Sequence, residues 1–289
     1  MRIWFVLKSL LIIAVGAYVF VLAAMYFGQR RFMYFPNPNR TAPAEAGLPN
    51  VAERIIDTPD GEKIIAWYGK AKPGQPTVLY FHGNGGALEV RRERIAKYLK
   101  RGRGLFMMSY RGYSGSTGSP TEAHNVADAK LAYDTLVKDG VKPEDIIIYG
   151  ESLGSGVAIQ VAREKKAAGL VLDSAYTALV DRAAEVYPWL PVRLLVTDKY
   201  ESRRWIKDVH MPLFMLHGEA DVVVPVEMGR TLFALANEPK EIKTIPGAGH
   251  GDHYLFGSFE IVNDWIDRLR AGEIALSGCC RTSPAASPP

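Results

Sequence analysis

A chain of 289 residues, 48% apolar and 23% charged, can build one large α/β domain with a full core and is too apolar for wholesale disorder. Its formal net charge of +4 is unevenly spread: Arg2, Lys8, Arg30, Arg31 and Arg40 put +5 into the first 44 residues, so the remainder carries −1. A nearly neutral main domain without a basic block excludes an electrostatic footprint for nucleic acid, so no nucleic-acid partner is expected.

The first predicted element is a membrane anchor over residues 1–28. Residues 10–28, "LLIIAVGAYVFVLAAMYFG", hold no charge, and about 20 such residues cross a bilayer core of about 30 Å. Lys8 precedes the run, Arg30 and Arg31 follow it, and Trp4, Tyr18 and Tyr26 supply interfacial aromatics. A cleaved signal peptide is the rival, with Val21, Leu22 and Ala23 as a small-residue site. An uncleaved single-pass anchor is preferred, because the apolar run continues past that site and ends on arginines. A buried core helix is disfavoured by the lack of any polar face. Basic residues flank both ends in similar numbers, so the positive-inside rule does not choose a membrane face.

Residues 29–50 contain four prolines and little periodicity, which suggests a linker. The main domain is expected over residues 51–271. It begins with a β-hairpin turning at Pro59-Asp60-Gly61. Short apolar strands then alternate with amphipathic segments: "TVLYFHG", "GLFMMSYRG", "DIIIYG", "AAGLVLDS", "PLFMLHG" and "KEIKTI" are strands, separated by helix-like stretches. Continuous apolar strands are buried on both faces, and alternation with helices gives a parallel sheet with right-handed crossovers. Residues 175–210 are long for one crossover. They suit either a decorated crossover helix or a cap lining an acyl pocket at the carboxyl end of the sheet. Residues 272–289 read as a disordered Ser/Pro/Ala-rich tail. Its adjacent Cys279 and Cys280 are the chain's only cysteines and offer no disulfide framework.

The chemistry centres on "DIIIYGESLGSG". Gly150 and Gly154 flank Ser152 in G-x-S-x-G spacing between a strand and a helix, the setting of a nucleophile elbow. A serine hydroxyl needs a base to take its proton. His250, in the loop "IPGAGHGDHY" after the last strand, is the favoured base. His253 is its rival, whereas His82, His124, His210 and His217 lie elsewhere on strand ends, a helix start and the long crossover. Asp221, in "HGEADVVVP", is the favoured acid because it gives the chain order Ser, Asp, His. Asp173 is the alternative, and a plain helix cap is the other reading of Asp221. The backbone N–H groups of Leu153 and Asn84 are the expected oxyanion donors. The loop "HGNGGALEV" lacks the Gly-Lys-Ser/Thr ending of a phosphate-cradling loop, so no nucleotide cofactor is expected. His250 and His253 lack a neighbouring ligand cluster, so no metal is expected.

Together, "RRFMYFPNP", "LYFHGNGG", "SYRGYSGSTGSPTE", "IIIYGESLGSGVAIQVA", "MLHGEADVVVP" and "PGAGHGDHY" resemble, in order, the alpha/beta-hydrolase superfamily. The resemblance is closest to its abhydrolase-domain branch of serine hydrolases with one N-terminal membrane anchor. It covers roughly residues 30–270. Gly251 stands where that branch leads one to expect asparagine. The resemblance implies a mostly parallel sheet of about eight strands with helices on both faces. It also implies Ser152 as nucleophile, Asp221 as acid, His250 as base, and Asn84 and Leu153 as oxyanion donors. Members of the branch include lipid esterases and protein depalmitoylases. The expected activity is therefore hydrolysis of an ester or thioester in an acylated small molecule or protein. A peptidase of the same fold and a non-catalytic anchored scaffold are the alternatives.

Overall fold

The computed structural model describes residues 2–274. Residues 275–289, which include Cys279, Cys280 and most of the expected tail, lie outside the described residues. Helix α1 (Arg2–Met33) is long and apolar enough to cross a membrane, with a mean hydropathy of 2.5 over its most apolar stretch. It runs past the expected boundary at residue 28, because Gly28 is tolerated within it and no proline comes before Pro36. The residues read as a linker are packed on the domain. Tyr34 is buried, with its hydroxyl 3.1 Å from Asp198 Oδ2 and 3.0 Å from the Tyr200 hydroxyl. Pro36 bridges Gly86.

The expected hairpin forms from β1 (Ala52–Asp57) and β2 (Lys63–Gly69), which pair antiparallel. Then come β3 (Thr77–Phe81), a 3-10 turn at Leu88–Arg91, α2 (Arg92–Lys100) and β4 (Gly104–Met108). Helix α3 (Glu122–Lys138) starts on Thr121, whose side chain accepts from the His124 N–H. Strand β5 (Ile146–Glu151), α4 (Leu153–Ala162) and β6 (Gly169–Asp173) follow. The long crossover is broken into α5 (Leu179–Val186), α6 (Val192–Leu195) and α7 (Ser202–Trp205). Strand β7 (Leu213–Gly218), α8 (Val226–Leu235), β8 (Lys240–Ile245) and α9 (Ser258–Arg270) complete the domain.

The strands form one eight-stranded sheet in the order β1-β2-β4-β3-β5-β6-β7-β8. Only the β1–β2 and β2–β4 pairs are antiparallel. Side chains alternate across it as strand geometry requires. Leu79, Phe81, Phe106, Ile148, Leu172 and Met215 face a core closed by α3 and α4. Val78, Tyr80, Leu105, Ile147, Val171 and Phe214 face a second core closed by α2 and α9. Trp265 of α9 stacks on Phe214 at 5.5 Å. Each fully buried aliphatic or aromatic side chain here contributes about 1.5–3 kcal/mol. The sheet is thus buried on both sides, and its free chemistry is confined to its edges and ends.

The strand-to-helix turn at Ser152 shows why two glycines are needed there. A Cβ on Gly150 would lie 2.5 Å from the Gly154 carbonyl oxygen, and one on Gly154 would lie 2.1 Å from the Phe81 carbonyl oxygen. Both obstacles are backbone and cannot swing aside. Gly154→Ala is therefore expected to destabilise the protein by about 1–3 kcal/mol or more. Gly251→Ala, with open space around its Cβ position, should leave stability unchanged. Denaturation midpoints of the two variants check this; equal midpoints would show that the turn relaxes freely.

Candidate active site

Strand β5 delivers Ser152 to the carboxyl edge of the sheet, and α4 begins one residue later. Ser152 adopts φ 50° and ψ −115°, an uncommon conformation for a residue with a side chain. Its N–H donates to the Asp173 carbonyl at 2.8 Å, which pins the turn to the end of β6. Its own carbonyl accepts from the Ser155 N–H at 2.8 Å and the Ser155 hydroxyl at 2.7 Å. The strained turn is thus held from both sides, and the side chain is left to project from its apex.

Asp221 and His250 arrive on neighbouring loops after β7 and β8. The Ala220 N–H donates to the Ala248 carbonyl at 2.9 Å and so staples the two loops together. A Cβ on Gly218 would collide with the Ala248 and Gly249 carbonyls, so only glycine allows this approach. His250 Nε2 lies 2.9 Å from Ser152 Oγ, and its Nδ1 lies 2.7 Å from Asp221 Oδ2. The three residues, separated by up to 98 positions, therefore form one continuous hydrogen-bonded line.

The electrostatics follow from these contacts. The Asp221 side chain is fully buried. Burial alone would raise its pKa. Contacts from His217, His250 and the Val224 N–H outweigh that and hold it well below the usual carboxylate range. Its Oδ1 accepts from the Val223 and Val224 N–H groups at 2.9 and 2.8 Å. For His250, burial pulls the pKa down, but the hydrogen bond and charge of Asp221, with Asp173 and Glu151 beyond, raise it above 6.5 on balance. His82 is the opposite case: burial and the Arg91 charge push it down to about 3, so it stays neutral.

The rival residues pair with each other. His253 Nε2 lies 3.1 Å from Asp173 Oδ1, and Asp173 Oδ2 accepts from the Tyr149 hydroxyl at 2.7 Å. Both are buried, and neither side chain bonds Ser152. The Asn84 side chain is also committed elsewhere. It donates to the Met33 carbonyl and accepts from the Phe35 N–H at 3.2 Å and the Tyr113 hydroxyl at 2.9 Å. Among the described residues, the backbone N–H groups of Asn84 and Leu153 find no acceptor. Gly83 closes against the nucleophile: a Cβ there would touch Ser152 Cβ at 3.4 Å.

Three residues without a sequence signal support this site. Arg91 donates to the carbonyls of Gly83, Gly85 and Ala87 and so braces the loop that carries Asn84. His217 is buried beneath Asp221, with Nε2 donating to the Val224 carbonyl at 2.8 Å. Glu151 Oε2 accepts from the Tyr80 hydroxyl at 2.6 Å and from Arg94 at 3.1 Å. A cavity of about 460 Å³ is lined in part by Arg91, Arg94, Asp173 and Tyr254, and by Glu151 and Gly251, the chain neighbours of Ser152 and His250. A larger one of about 710 Å³ opens at the amino ends of β5, β6 and β7, away from Ser152. Among the described residues no group of three or more His, Cys, Asp or Glu could hold a metal ion.

Residues 76–200 match a family model described as alpha/beta hydrolase fold. Uncharacterized protein Rv2307c of Mycobacterium tuberculosis is 36% identical over 86% of this chain and 90% of its own. Lysophosphatidylserine lipase ABHD12 of Danio rerio is 30% identical over 72% of this chain and 62% of its own. Among solved structures, the Pyrococcus furiosus esterase Pf2001 superposes with a TM-score of 0.63 at 21% identity, over 80% of this chain and 99% of that one. Sheet order, the glycine-flanked serine and these matches agree, and the chain belongs to the alpha/beta hydrolase family.

Proposed function

We propose that the protein is a single-pass, membrane-anchored serine hydrolase that cleaves carboxylic ester or thioester bonds of acyl, lipid-like substrates through an acyl-enzyme. The observation that carries this reading is the Ser152–His250–Asp221 line, with contacts of 2.9 and 2.7 Å. Ser152 Oγ attacks the acyl carbonyl carbon while His250 Nε2 takes its proton. The tetrahedral oxyanion is stabilised by the Asn84 and Leu153 N–H groups. As the bond to the leaving oxygen or sulfur breaks, the imidazolium gives that atom the proton. Water then attacks the acyl-enzyme with His250 again as base; the fatty acid departs and the proton returns to Oγ. Asp221 holds Nδ1–H and offsets the imidazolium charge throughout.

The apolar α1 and the lipase name carried by one relative favour acyl lipids over peptides. A panel of p-nitrophenyl esters from acetyl to palmitoyl, matched thioesters and aminoacyl anilides tests this. Cleavage of esters and thioesters is expected. Cleavage of the anilides alone would favour a peptidase, and inertness of a folded protein towards all three would favour a scaffold.

The base acts only when neutral. With the His250 pKa raised above 6.5, kcat/KM is expected to rise with pH through a midpoint above that value and to fall away on the acid side. A pH profile of ester hydrolysis checks this, and a flat profile from pH 5 to pH 8 would contradict a histidine base.

A further inference from the structure

We infer that residues 186–196 form a cap seated in the bilayer alongside α1, so that acyl substrate reaches the site from the membrane. This rests on the reading of α1 as a membrane span. The stretch from Ser9 to Gln29 is free of charge and at 1.5 Å per residue measures about 32 Å, the depth of a hydrocarbon core. Arg30 and Arg31 then mark the water boundary on the domain side.

The domain does not stop at that boundary. Contacts climb α1 as a ladder: Arg30 meets Asp198 at 3.2 Å, Gln29 meets the Thr197 N–H at 2.9 Å and the Leu195 carbonyl at 3.2 Å, and the Tyr18 hydroxyl donates to the Trp189 carbonyl at 3.1 Å. Between these rungs Val21, Leu22 and Met25 pack against a cluster containing Leu190, Val192 and Val196. Tyr18 lies twelve residues before Arg30, which along a helix is about 18 Å. If the arginines sit at the interface, the segment around Trp189 lies at acyl-chain depth.

Its chemistry suits that depth. Among the described residues, Trp189 is left 59% exposed and Leu194 85% exposed. The one charge in the segment, Arg193, is paired with Asp181. Most of its backbone N–H groups are met internally, which a hydrocarbon environment favours. The N–H groups of Leu190, Val192, Leu194, Leu195 and Val196 all find carbonyls within the segment. Pro188 and Pro191 have none to satisfy. The rim continues to the reaction centre. Arg182 of α5 donates to the carbonyls of Val222 and Val223, each at 2.8 Å. Those two exposed valines directly follow Asp221.

The test uses the full chain with Cys279→Ser and Cys280→Ser, reconstituted in phosphatidylcholine vesicles. Single cysteines at Phe20→Cys, Leu194→Cys and Lys142→Cys carry an environment-sensitive fluorophore, and quenching by lipids brominated in their acyl chains is measured. Quenching at 194 is expected to fall within about twofold of that at 20, with none at 142, which lies at the opposite end of the sheet. If 20 is quenched while 194 behaves like 142, the cap is in water and the proposal fails although the anchor stands. If 20 is also unquenched, the anchor reading fails and takes the proposal with it. Neither outcome touches the proposed chemistry of Ser152, which is read separately with soluble esters.

Discussion

Replacing Ser152 with alanine is expected to lower ester turnover by about 10⁴- to 10⁶-fold while leaving the protein folded. The oxygen removed is the one placed 2.9 Å from His250 Nε2, and the hydroxyl three residues on is occupied. Ser155 Oγ donates to the Ser152 carbonyl at 2.7 Å. The backbone strain at position 152 is borne by contacts that do not involve the lost atom, namely the Ser152 N–H on Asp173 and the Ser155 N–H on the Ser152 carbonyl. Alanine has the same Cβ as serine, so the turn should persist. Initial rates on a short p-nitrophenyl ester, with a thermal melt as control, check both halves. A loss below about tenfold in a folded variant would show that another group attacks the ester.

Asp221→Asn is expected to cost about 10⁴-fold in turnover, for a reason visible in the hydrogen bonds. Oδ1 of Asp221 accepts from two backbone N–H groups, those of Val223 and Val224. An amide in this place must put its oxygen there, because its NH₂ cannot accept. The NH₂ is then aimed at His250 Nδ1, at the 2.7 Å position held by Oδ2. Nδ1 becomes an acceptor, the ring proton moves to Nε2, and Nε2 can no longer take the serine proton. Asp173 does not rescue the variant, since its carboxylate faces His253 and Tyr149. Kinetics on the variant, with a melt as control, test this. Near-normal turnover would mean that the histidine tautomer is fixed by something other than Asp221.

The alternation of strands with helices was legible because each buried strand is a short continuous run of branched or aromatic residues, as in Ile146 to Tyr149. Ser152 was legible through its glycines, which record main-chain clashes that any side chain would create. The choice between His250 and His253 was less so. They are three residues apart, and which one reaches the serine depends on how the loop leaves β8. For Asn84 the motif pointed to a main-chain donor in the loop after β3, but not to the contacts of its side chain with Met33, Phe35 and Tyr113. Arg91 carried no signal at all. It sits in a run of three arginines and a glutamate, and its role depends on three carbonyls gathered by the loop's shape. The contact between α1 and the cap was equally hidden, because Tyr18 and Trp189 are 171 positions apart and neither has periodicity that names the other. The stretch after α1 looked like a linker for the same reason, although Tyr34 is buried against Asp198 and Tyr200.

The central claim is that the Ser152 hydroxyl, activated by His250, is the nucleophile. A fluorophosphonate reports this directly, because it phosphonylates an activated serine and the adduct can be located by peptide mass. The expected result is one adduct, on Ser152, abolished by His250→Ala although the serine is still present. An adduct on a different residue, or undiminished labelling of Ser152 in the His250→Ala variant, would contradict it.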